Sequence, residues 1–209
     1  KTSEDRGLIR YLKRNKHTTP LEMGEFKFHC KMPILTARQW IRHRTANVNE
    51  YSARYSILDN EFYVPEPQHL AVQSTANRQG RGDAVSAEEA EIILTMIKED
   101  ATRQYEHYTE LLNEKDGFAI NPHRPCLARE LARMGLGVNF YTQWYWKIDL
   151  HNLMHFLGLR LDAHAQYEIR VFAEAMARIV KDAVPIAFEA FEDYQQNSMT
   201  LSAAEIAFM

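Results

Sequence analysis

The sequence predicts a protein of the α+β class, in which helices and strands mix along the chain without regular βαβ alternation. Two observations carry this prediction. The chain has 209 residues, a length that suits one domain with a sizeable core. Stretches with helical apolar spacing and stretches with period-2 alternation follow one another irregularly. We expect a single domain over residues 1–209, with a central, mostly antiparallel sheet packed by helices, including one long helical pair.

The first elements are predicted from their periodicity. Residues 4–16 form an amphipathic pattern, which predicts a helix. Residues 26–32 alternate apolar with polar side chains, as in a half-buried strand. Thr36 and Gln39 have the spacing of a capping box, which predicts that a short helix begins here and continues as far as His43.

The middle of the chain combines irregular segments with one long helix. Residues 48–65 are expected to be extended and irregular, and residues 72–86 to form a long loop that is functional or mobile. Ser86 and Glu89 have the spacing of a helix cap. The apolar stripe of the helix that follows is Ile92, Ile93, Met96, Ile97, Ala101, Tyr105 and Leu112.

The second half of the chain reads as a strand among helices. Residues 128–134 predict a short helix, and residues 140–147 alternate in a second strand. Asp149 is expected to cap the next helix, and Asp162 to start another. Pro185 is expected to kink that helix or to begin a new one.

Composition restricts the function classes. Hydrophobic residues make up 45% and charged residues 25%, and the net charge is −3. This balance is typical of a globular protein and argues against one that coats a polyanion. The sequence contains no apolar run of the roughly 18 residues that a membrane span needs. The two cysteines lie in unrelated contexts, so we expect a reduced, cytoplasmic setting.

The densest polar segment covers residues 42–56. It contains three arginines, a carboxylate and several hydroxyls. An arginine fork binds phosphate bidentately, and glutamate can hold a ribose hydroxyl or an amide. An extended backbone would put Ser52, Arg54 and Ser56 on one side. A nucleotide site and a solvated, salt-bridged surface are equally compatible with these charges.

This segment resembles the signature of the flavin-dependent thymidylate synthases. An Arg-His-Arg triplet at Arg42–Arg44 is followed by seven residues and then Ser52. Glu50, Arg54 and Tyr55 also match the family pattern. Further landmarks, in the order expected over roughly residues 4–195, are His17–Pro20, Ala37–Trp40, Asn77–Gly80, Leu159-Arg160 and His164–Gln166.

The chain departs from the family in a few places. The family usually has a strand and loop ahead of the helix that contains SEDRGLIRYL, and we expect this chain to lack that segment and its flavin contacts. Met23 stands where some members have histidine. Asp149, His151 and His155 stand where others have asparagine, arginine and asparagine.

The resemblance implies an enzyme that reductively methylates dUMP to dTMP. It implies bound FAD, with NADPH and 5,10-methylenetetrahydrofolate as co-substrates, and a homotetramer with shared active sites that binds neither nucleic acid nor membrane. Arg160 would be the catalytic residue, since its cation would favour the ionised N3 of the pyrimidine. The dUMP contacts implied are Gln39, Arg42, Glu50, Ser52, Ala53, Arg54, Arg133 and Arg160. The FAD contacts implied are Thr19, Arg42, His43, Arg44, Glu50, Asp149, His151 and His155.

The residues themselves leave other kinds of site open. Ser52 has no evident histidine–carboxylate pair to activate it as a nucleophile, and Cys126 is better explained as a structural thiol. His151 and His155 have i, i+4 spacing, which could serve a metal-dependent hydrolase. Asn152 stands where the metalloprotease pattern needs glutamate, and we expect no metal.

A nucleic-acid-binding module is the remaining alternative. The arginine-rich segment and Trp144–Trp146 motivate it, because aromatic side chains can stack on bases. Core packing of an alternating strand explains the tryptophans more simply, and the negative net charge counts against this class. The sequence contains no G-x-G-x-x-G fingerprint, so the expectation of a flavin depends on the resemblance.

Overall fold

A computed structural model of the protein describes residues 2–77, 80–115 and 117–208. The helices are α1 (Thr2–Arg14), α2 (Thr19–Glu22), α3 (Ile34–Trp40), α4 (Ala87–Leu112), α5 (Arg129–Ala132), α6 (Leu150–Arg160), α7 (Tyr167–Ala183), α8 (Pro185–Phe191) and α9 (Ala203–Ile206). Short 3₁₀ segments cover Pro67–His69 and Arg133–Gly135, and a π-helical turn covers Glu192–Gln196. The strands are β1 (Glu25–Pro33), β2 (Asn47–Glu50), β3 (Ala71–Gln73), β4 (Arg81–Ala84), β5 (Glu114–Lys115), β6 (Phe118–Ala119) and β7 (Tyr141–Asp149).

The main sheet has three strands in the order β1–β7–β2. The Ile34 N–H donates to Phe140 O, and at the other end of β1 the Leu150 N–H donates to Gly24 O, so β1 and β7 run antiparallel. Two antiparallel hairpins, β3–β4 and β5–β6, complete the sheet structure of the described residues. The predicted α+β class, with mostly antiparallel sheets and a long helix, is confirmed.

Strand β7 follows the predicted alternation. Thr142, Trp144, Trp146 and Ile148 are buried, whereas the side chains between them are half-buried or exposed. Successive side chains of a strand point to opposite faces of the sheet, so the period-2 pattern already assigned one face to the core. Trp144 and Trp146 are only 2% and 0% exposed, which rules out their use as a stacking platform and confirms core packing.

The chain divides into two compact units. The central unit comprises Phe28–Trp146, and the terminal unit comprises Lys1–Lys27 with Lys147–Met209. In the terminal unit α1 packs on α8, and α6 packs on α7. Helical spacing in the sequence predicts one apolar face of α7, formed by Ile169, Phe172, Ala173, Met176 and Val180. All of these are buried except Phe172, which is half-buried. Of the two outcomes expected at Pro185, a kink or a new helix, the structure has the new helix, α8.

Helix α4 dominates the central unit and begins where its cap predicts. The Ser86 hydroxyl accepts a hydrogen bond from the Glu89 N–H at 3.2 Å, which satisfies one of the free donors of the first turn. The predicted apolar stripe is only partly buried. Ala101 and Leu112 are in the core, whereas Ile92 and Met96 are 51% and 59% exposed.

Several predicted elements differ in the structure. The residue before α3 is Pro33, without a side-chain cap, so Thr36 and Gln39 lie within that helix instead of starting it. Helix α7 begins at Tyr167 and not at Asp162, because the Asp162 carboxylate accepts from the His164 N–H in a local turn. The predicted 72–86 loop contains most of the β3–β4 hairpin. Arg78 and Gln79 of the Asn77–Gly80 landmark lie outside the described residues.

In the described part of the chain, no helix combines the length and apolarity needed to cross a membrane. Helices α1 and α8 are joined at the surface of the terminal unit by ion pairs from Arg6 and Arg10 to Glu189. Exposed pairs of this kind each contribute little to stability. Burial of apolar residues of α6, α7 and α8 contributes to the stability of this unit.

Candidate functional site

The arginine-rich segment, residues 42–56, follows the end of a helix and contains a short strand and a turn. Helix α3 ends at Trp40, so Arg42 and His43 lie just beyond it, where the His43 N–H donates to Trp40 O. The sequence suggested that residues 52–56 are extended, but the structure shows a turn there. The N–H groups of Tyr55 and Ser56 both donate to Ser52 O, which closes a tight turn. Ser52, Arg54 and Ser56 therefore do not form one side of a strand.

This turn forms one wall of a cavity of about 270 Å³ in the central unit. The lining residues are Ile34, Glu50, Tyr51, Ser52, Ala53, Leu58, Arg133, Leu136, Tyr141 and Thr142. Four residues that the family resemblance implied as dUMP contacts are thus brought together: Glu50, Ser52, Ala53 and Arg133. Gln39, Arg42 and Arg54 are not part of this lining.

The charges of the cavity are arranged for an anionic, hydroxyl-bearing ligand. The Thr142 hydroxyl donates to Glu50 Oε1 at 2.7 Å, which holds the carboxylate and leaves its second oxygen as an acceptor. Arg133 Nε donates weakly to Glu130 O at 3.4 Å. Among the described residues no carboxylate forms an ion pair with Arg133, so its fork is available to a ligand phosphate. Thr142 is a site residue that the sequence did not single out, because a threonine on the buried face of a strand has no distinguishing pattern.

Gln39, which does not line this cavity, has an unpaired polar atom. Its Oε1 atom is buried without a hydrogen-bond partner among the described residues, and Thr36 Oγ1, one turn earlier in α3, shares this property. Buried polar atoms are normally paired, because leaving one unpaired costs about 1–3 kcal/mol. A bound donor would satisfy this amide oxygen.

Arg160 is the last residue of α6, in the terminal unit. Burial lowers the pKa of its guanidinium, although an arginine stays protonated at any physiological pH. The direction of the shift reports partial desolvation of the cation, which strengthens its interaction with an anion.

A second cavity, of about 430 Å³, lies within the terminal unit. Its lining includes His151 and His155 of α6, together with His17 and Thr18. The remaining lining residues are Leu12, Lys13, Arg14, Lys16, Leu21, Tyr194, Gln195, Ser198 and Thr200. Of the FAD contacts implied for this unit, His151 and His155 are therefore brought together. Thr19 and Asp149 are not part of the lining, and Asp149 caps α6 through the Asn152 N–H at 2.9 Å.

The walls of this cavity are rich in N–H donors. Lys13 Nζ donates to Gln195 Oε1 at 2.6 Å, and burial lowers the pKa of Lys13, because desolvation disfavours the ammonium form. No pattern in the sequence distinguishes Lys13 or Gln195 as a site residue. Both are polar residues of helical turns, and their contact depends on the packing of α1 beside the π-helical turn.

The remaining implied FAD contacts belong to the central unit. Arg42 and Arg44 are exposed, and His43 is half-buried. Among the described residues, no group of three or more His, Cys, Asp or Glu side chains is arranged to hold a metal ion.

The two cysteines differ in chemistry. Cys30 is 6% exposed, and burial raises the pKa of its thiol to about 12. Cys126 is exposed. Because the thiolate is the reactive form, we expect one thiol to react with Ellman's reagent in the native protein at neutral pH, and two after unfolding. Two rapidly reacting thiols in the native protein would contradict the burial of Cys30.

Comparison with known proteins identifies the relatives of this chain. Flavin-dependent thymidylate synthase from Ruegeria pomeroyi is 60% identical over 199 residues, which are 95% of this chain and 64% of that protein. The enzyme of the same name from Rickettsia bellii is 58% identical over 202 residues, which are 96% of this chain and 69% of that protein. The chain thus spans about two thirds of the length of these relatives.

The fold also matches a solved structure. The UMP/dUMP methylase PolB from Streptomyces cacaoi, bound with 5-Br UMP, superposes with a TM-score of 0.82 at 33% sequence identity, over 94% of this chain and 85% of that one. The family model described as thymidylate synthase complementing protein matches residues 1–186. Because that match covers most of the chain and the relatives agree with it, this protein belongs to the thymidylate synthase complementing protein family, whose similar members are named flavin-dependent thymidylate synthases.

Proposed function

We propose that this chain is a flavin-dependent thymidylate synthase, which converts dUMP to dTMP. The carbon donor is 5,10-methylenetetrahydrofolate, and NADPH is the reductant. The observation that carries the proposal is the central-unit cavity, where Glu50, Ser52, Ala53 and Arg133 meet at the end of the Arg-His-Arg signature. We further propose that residues 1–209 act as one catalytic domain, because the family match at residues 1–186 runs through both units.

The residues of this cavity suit a pyrimidine nucleotide. Arg133 would hold the phosphate, and the free oxygen of Glu50 would accept from a ribose hydroxyl or from the base. Ser52 would add a hydroxyl donor, and the buried Ala53 would let the turn approach the ligand closely. Gln39, Arg42 and Arg54 are proposed as further dUMP contacts, and for Gln39 the unpaired Oε1 supports this role.

Arg160 is proposed as the catalytic residue. A desolvated guanidinium beside the pyrimidine lowers the free energy of the N3-deprotonated ring, because the charge that develops there meets a fixed cation. The ionised ring is the better nucleophile toward the one-carbon donor. The protein thereby activates the substrate without an enzyme nucleophile.

The donor set of the terminal-unit cavity fits a flavin dinucleotide. Lys13, His17, His151 and His155 present N–H groups, which suit the anionic diphosphate of FAD. The other proposed contacts are Thr19, Arg42, His43, Arg44, Glu50 and Asp149. When bound, FAD supplies the hydride that completes the methyl group.

Three measurements on the purified protein test this proposal. We expect a yellow preparation with an oxidised-flavin spectrum, saturable binding of dUMP, and dTMP formation that requires both NADPH and methylenetetrahydrofolate. Arg178→Ala removes an exposed arginine of α7. It is the control variant for later substitutions of candidate site arginines, and it should give the wild-type result in all three measurements. A colourless protein that contains stoichiometric zinc would favour a metal hydrolase instead. Oligonucleotide affinity with a steep salt dependence would favour a nucleic-acid-binding module.

We also propose a cytoplasmic homotetramer whose active sites are shared between chains. One chain must hold FAD, dUMP and folate, yet its candidate arginines lie in segments far apart in sequence. Shared sites would allow residues of different subunits to act on one substrate.

Complementation checks this arrangement. Arg160→Ala and His43→Ala are each expected to be inactive, and we expect dTMP formation to reappear when the two are co-refolded, because some hybrid sites then contain both intact residues. Each variant refolded alone is the control. A monomeric mass by light scattering at working concentration, together with full wild-type activity, would contradict the proposal that active sites are shared between subunits.

A further inference from the structure

The Tyr51–Leu58 segment forms one wall of the central-unit cavity. Side chains from outside the segment hold much of its backbone. The Tyr108 hydroxyl accepts from the Leu58 N–H at 3.1 Å, and the Tyr105 hydroxyl donates to Leu58 O at 2.9 Å. Within the segment, the Tyr51 hydroxyl donates to Ile57 O at 3.2 Å. These bonds fix the end of the segment that follows the Ser52–Ser56 turn.

Apolar contacts fix the middle of the segment. Ala53 and Leu58 belong to a buried cluster with Tyr108, Leu112 and Ala132. The cluster connects the turn to α4 and α5. Displacing Ala53 would disrupt the packing of this cluster, which opposes movement of the turn.

Arg129 holds the turn itself. Its Nη1 donates to Tyr55 O, and its Nη2 donates to both carboxylate oxygens of Glu114, at 2.7 and 2.9 Å. Because one terminal nitrogen contacts both oxygens of Glu114 and the other contacts Tyr55 O, the guanidinium is held between the carboxylate and the carbonyl by charge-assisted hydrogen bonds. Glu114 is itself well placed, because the neighbouring Asn113 amide donates to Asn121 O and Arg124 O, each at 2.9 Å.

The two arginines of this region have different electrostatic situations. Arg129 is neutralised by Glu114, whereas Arg133, four residues later, forms no ion pair among the described residues. An arginine whose charge is compensated by a carboxylate attracts a phosphate only weakly, but its N–H groups can still hold a backbone carbonyl in place. Arg129 therefore differs from Arg133 in role, although both are arginines of the same short helical region.

We propose that Arg129, held by Glu114, is a positioning residue that fixes the Ser52–Ser56 turn for nucleotide binding without contacting the nucleotide. This inference rests on the proposed function, since it assumes that dUMP occupies the central-unit cavity. It predicts that dUMP affinity depends on two residues that are absent from the lining of that cavity.

The test is isothermal titration of the flavin-loaded enzyme with dUMP, together with steady-state kinetics. We expect Arg129→Ala to weaken dUMP binding by about tenfold or more, because small displacements of a binding turn cost affinity and rate. The KM for dUMP should rise more than kcat falls, and the FAD content should stay at the wild-type level. Glu114→Ala combined with Arg129→Ala should be no worse than Arg129→Ala alone, because the pair acts as one unit.

Conservative variants and a matched control separate positioning from general stability. Arg129→Lys and Glu114→Gln should each retain part of the affinity, since each keeps one of the bonds, and they remain informative if Arg129→Ala does not fold. Arg10→Ala is the control. It removes an arginine whose side chain is 30% exposed and ion-paired, against 31% for Arg129, and it should leave dUMP affinity within about twofold, as expected for an exposed ion pair.

The outcomes are distinct. Folded Arg129 variants with wild-type dUMP affinity would overturn the inference, as would a parallel loss of FAD, dUMP affinity and thermal stability, which indicates a structural role only. A wild-type protein that binds flavin but not dUMP would overturn the proposed function instead.

Discussion

Arg160→Ala is expected to reduce dTMP formation by at least about 10²–10³-fold, to the limit of detection in a standard assay, while leaving the protein folded and able to bind dUMP weakly. The physical reason is that the fixed cation lowers the pKa of the pyrimidine N3, and without it the substrate stays neutral and unreactive. Loss of a charge-stabilising donor from an enzyme site typically lowers kcat by about 10²–10³-fold. The measurement is single-turnover conversion of labelled dUMP by the flavin-loaded variant.

Two further variants bound this result. Arg160→Lys keeps the charge but not the planar fork, so partial activity is expected if charge is the main requirement. Arg178→Ala should retain full activity. Turnover by Arg160→Ala at the wild-type rate would exclude Arg160 from catalysis.

The second large effect is on stability. Trp40→Ala is expected to lower the free energy of unfolding by about 3–5 kcal/mol, the usual cost of truncating a large buried aromatic side chain. Trp40 is fully buried, and its ring meets those of Trp144 and Trp146 edge-on, at centroid distances of 5.6 and 5.2 Å. Urea unfolding followed by circular dichroism gives the change in free energy.

An exposed aromatic on the same sheet provides the control. Tyr145 is 49% exposed, and Tyr145→Ala should change the free energy of unfolding by less than about 1 kcal/mol, as surface substitutions usually do. A similar loss in both variants would mean that the tryptophan cluster is not the main source of stability in the central unit.

The sequence predicted elements well where one local rule decides the structure. The alternation of β7 assigned Trp144 and Trp146 to the core, and the Ser86 cap and Pro185 located two helix starts. It failed where a competing local interaction exists. Pro33 precedes α3 directly, and the carbonyl of Ser52 closes a turn that no spacing in the sequence announces.

The candidate site was only partly accessible to sequence reasoning. The Arg-His-Arg signature pointed to Glu50, Ser52 and Ala53, which the structure brings to one cavity with Arg133. The supporting residues were not predictable, because their role depends on non-local contacts. Thr142 bonds Glu50 across 92 residues of chain, and Arg129 reaches Tyr55 across 74. Such pairs have no period and no motif.

The placement of the three tryptophans has a consequence for optical experiments. Trp40, Trp144 and Trp146 all belong to the central unit, so the intrinsic tryptophan fluorescence of this protein originates in that unit. The terminal unit consists mainly of helices and contains no tryptophan. If the terminal unit unfolds first, the helical ellipticity in the far ultraviolet will decrease in magnitude while the tryptophan emission maximum stays constant. Comparing the two signals will therefore show whether the units unfold in one step or in two.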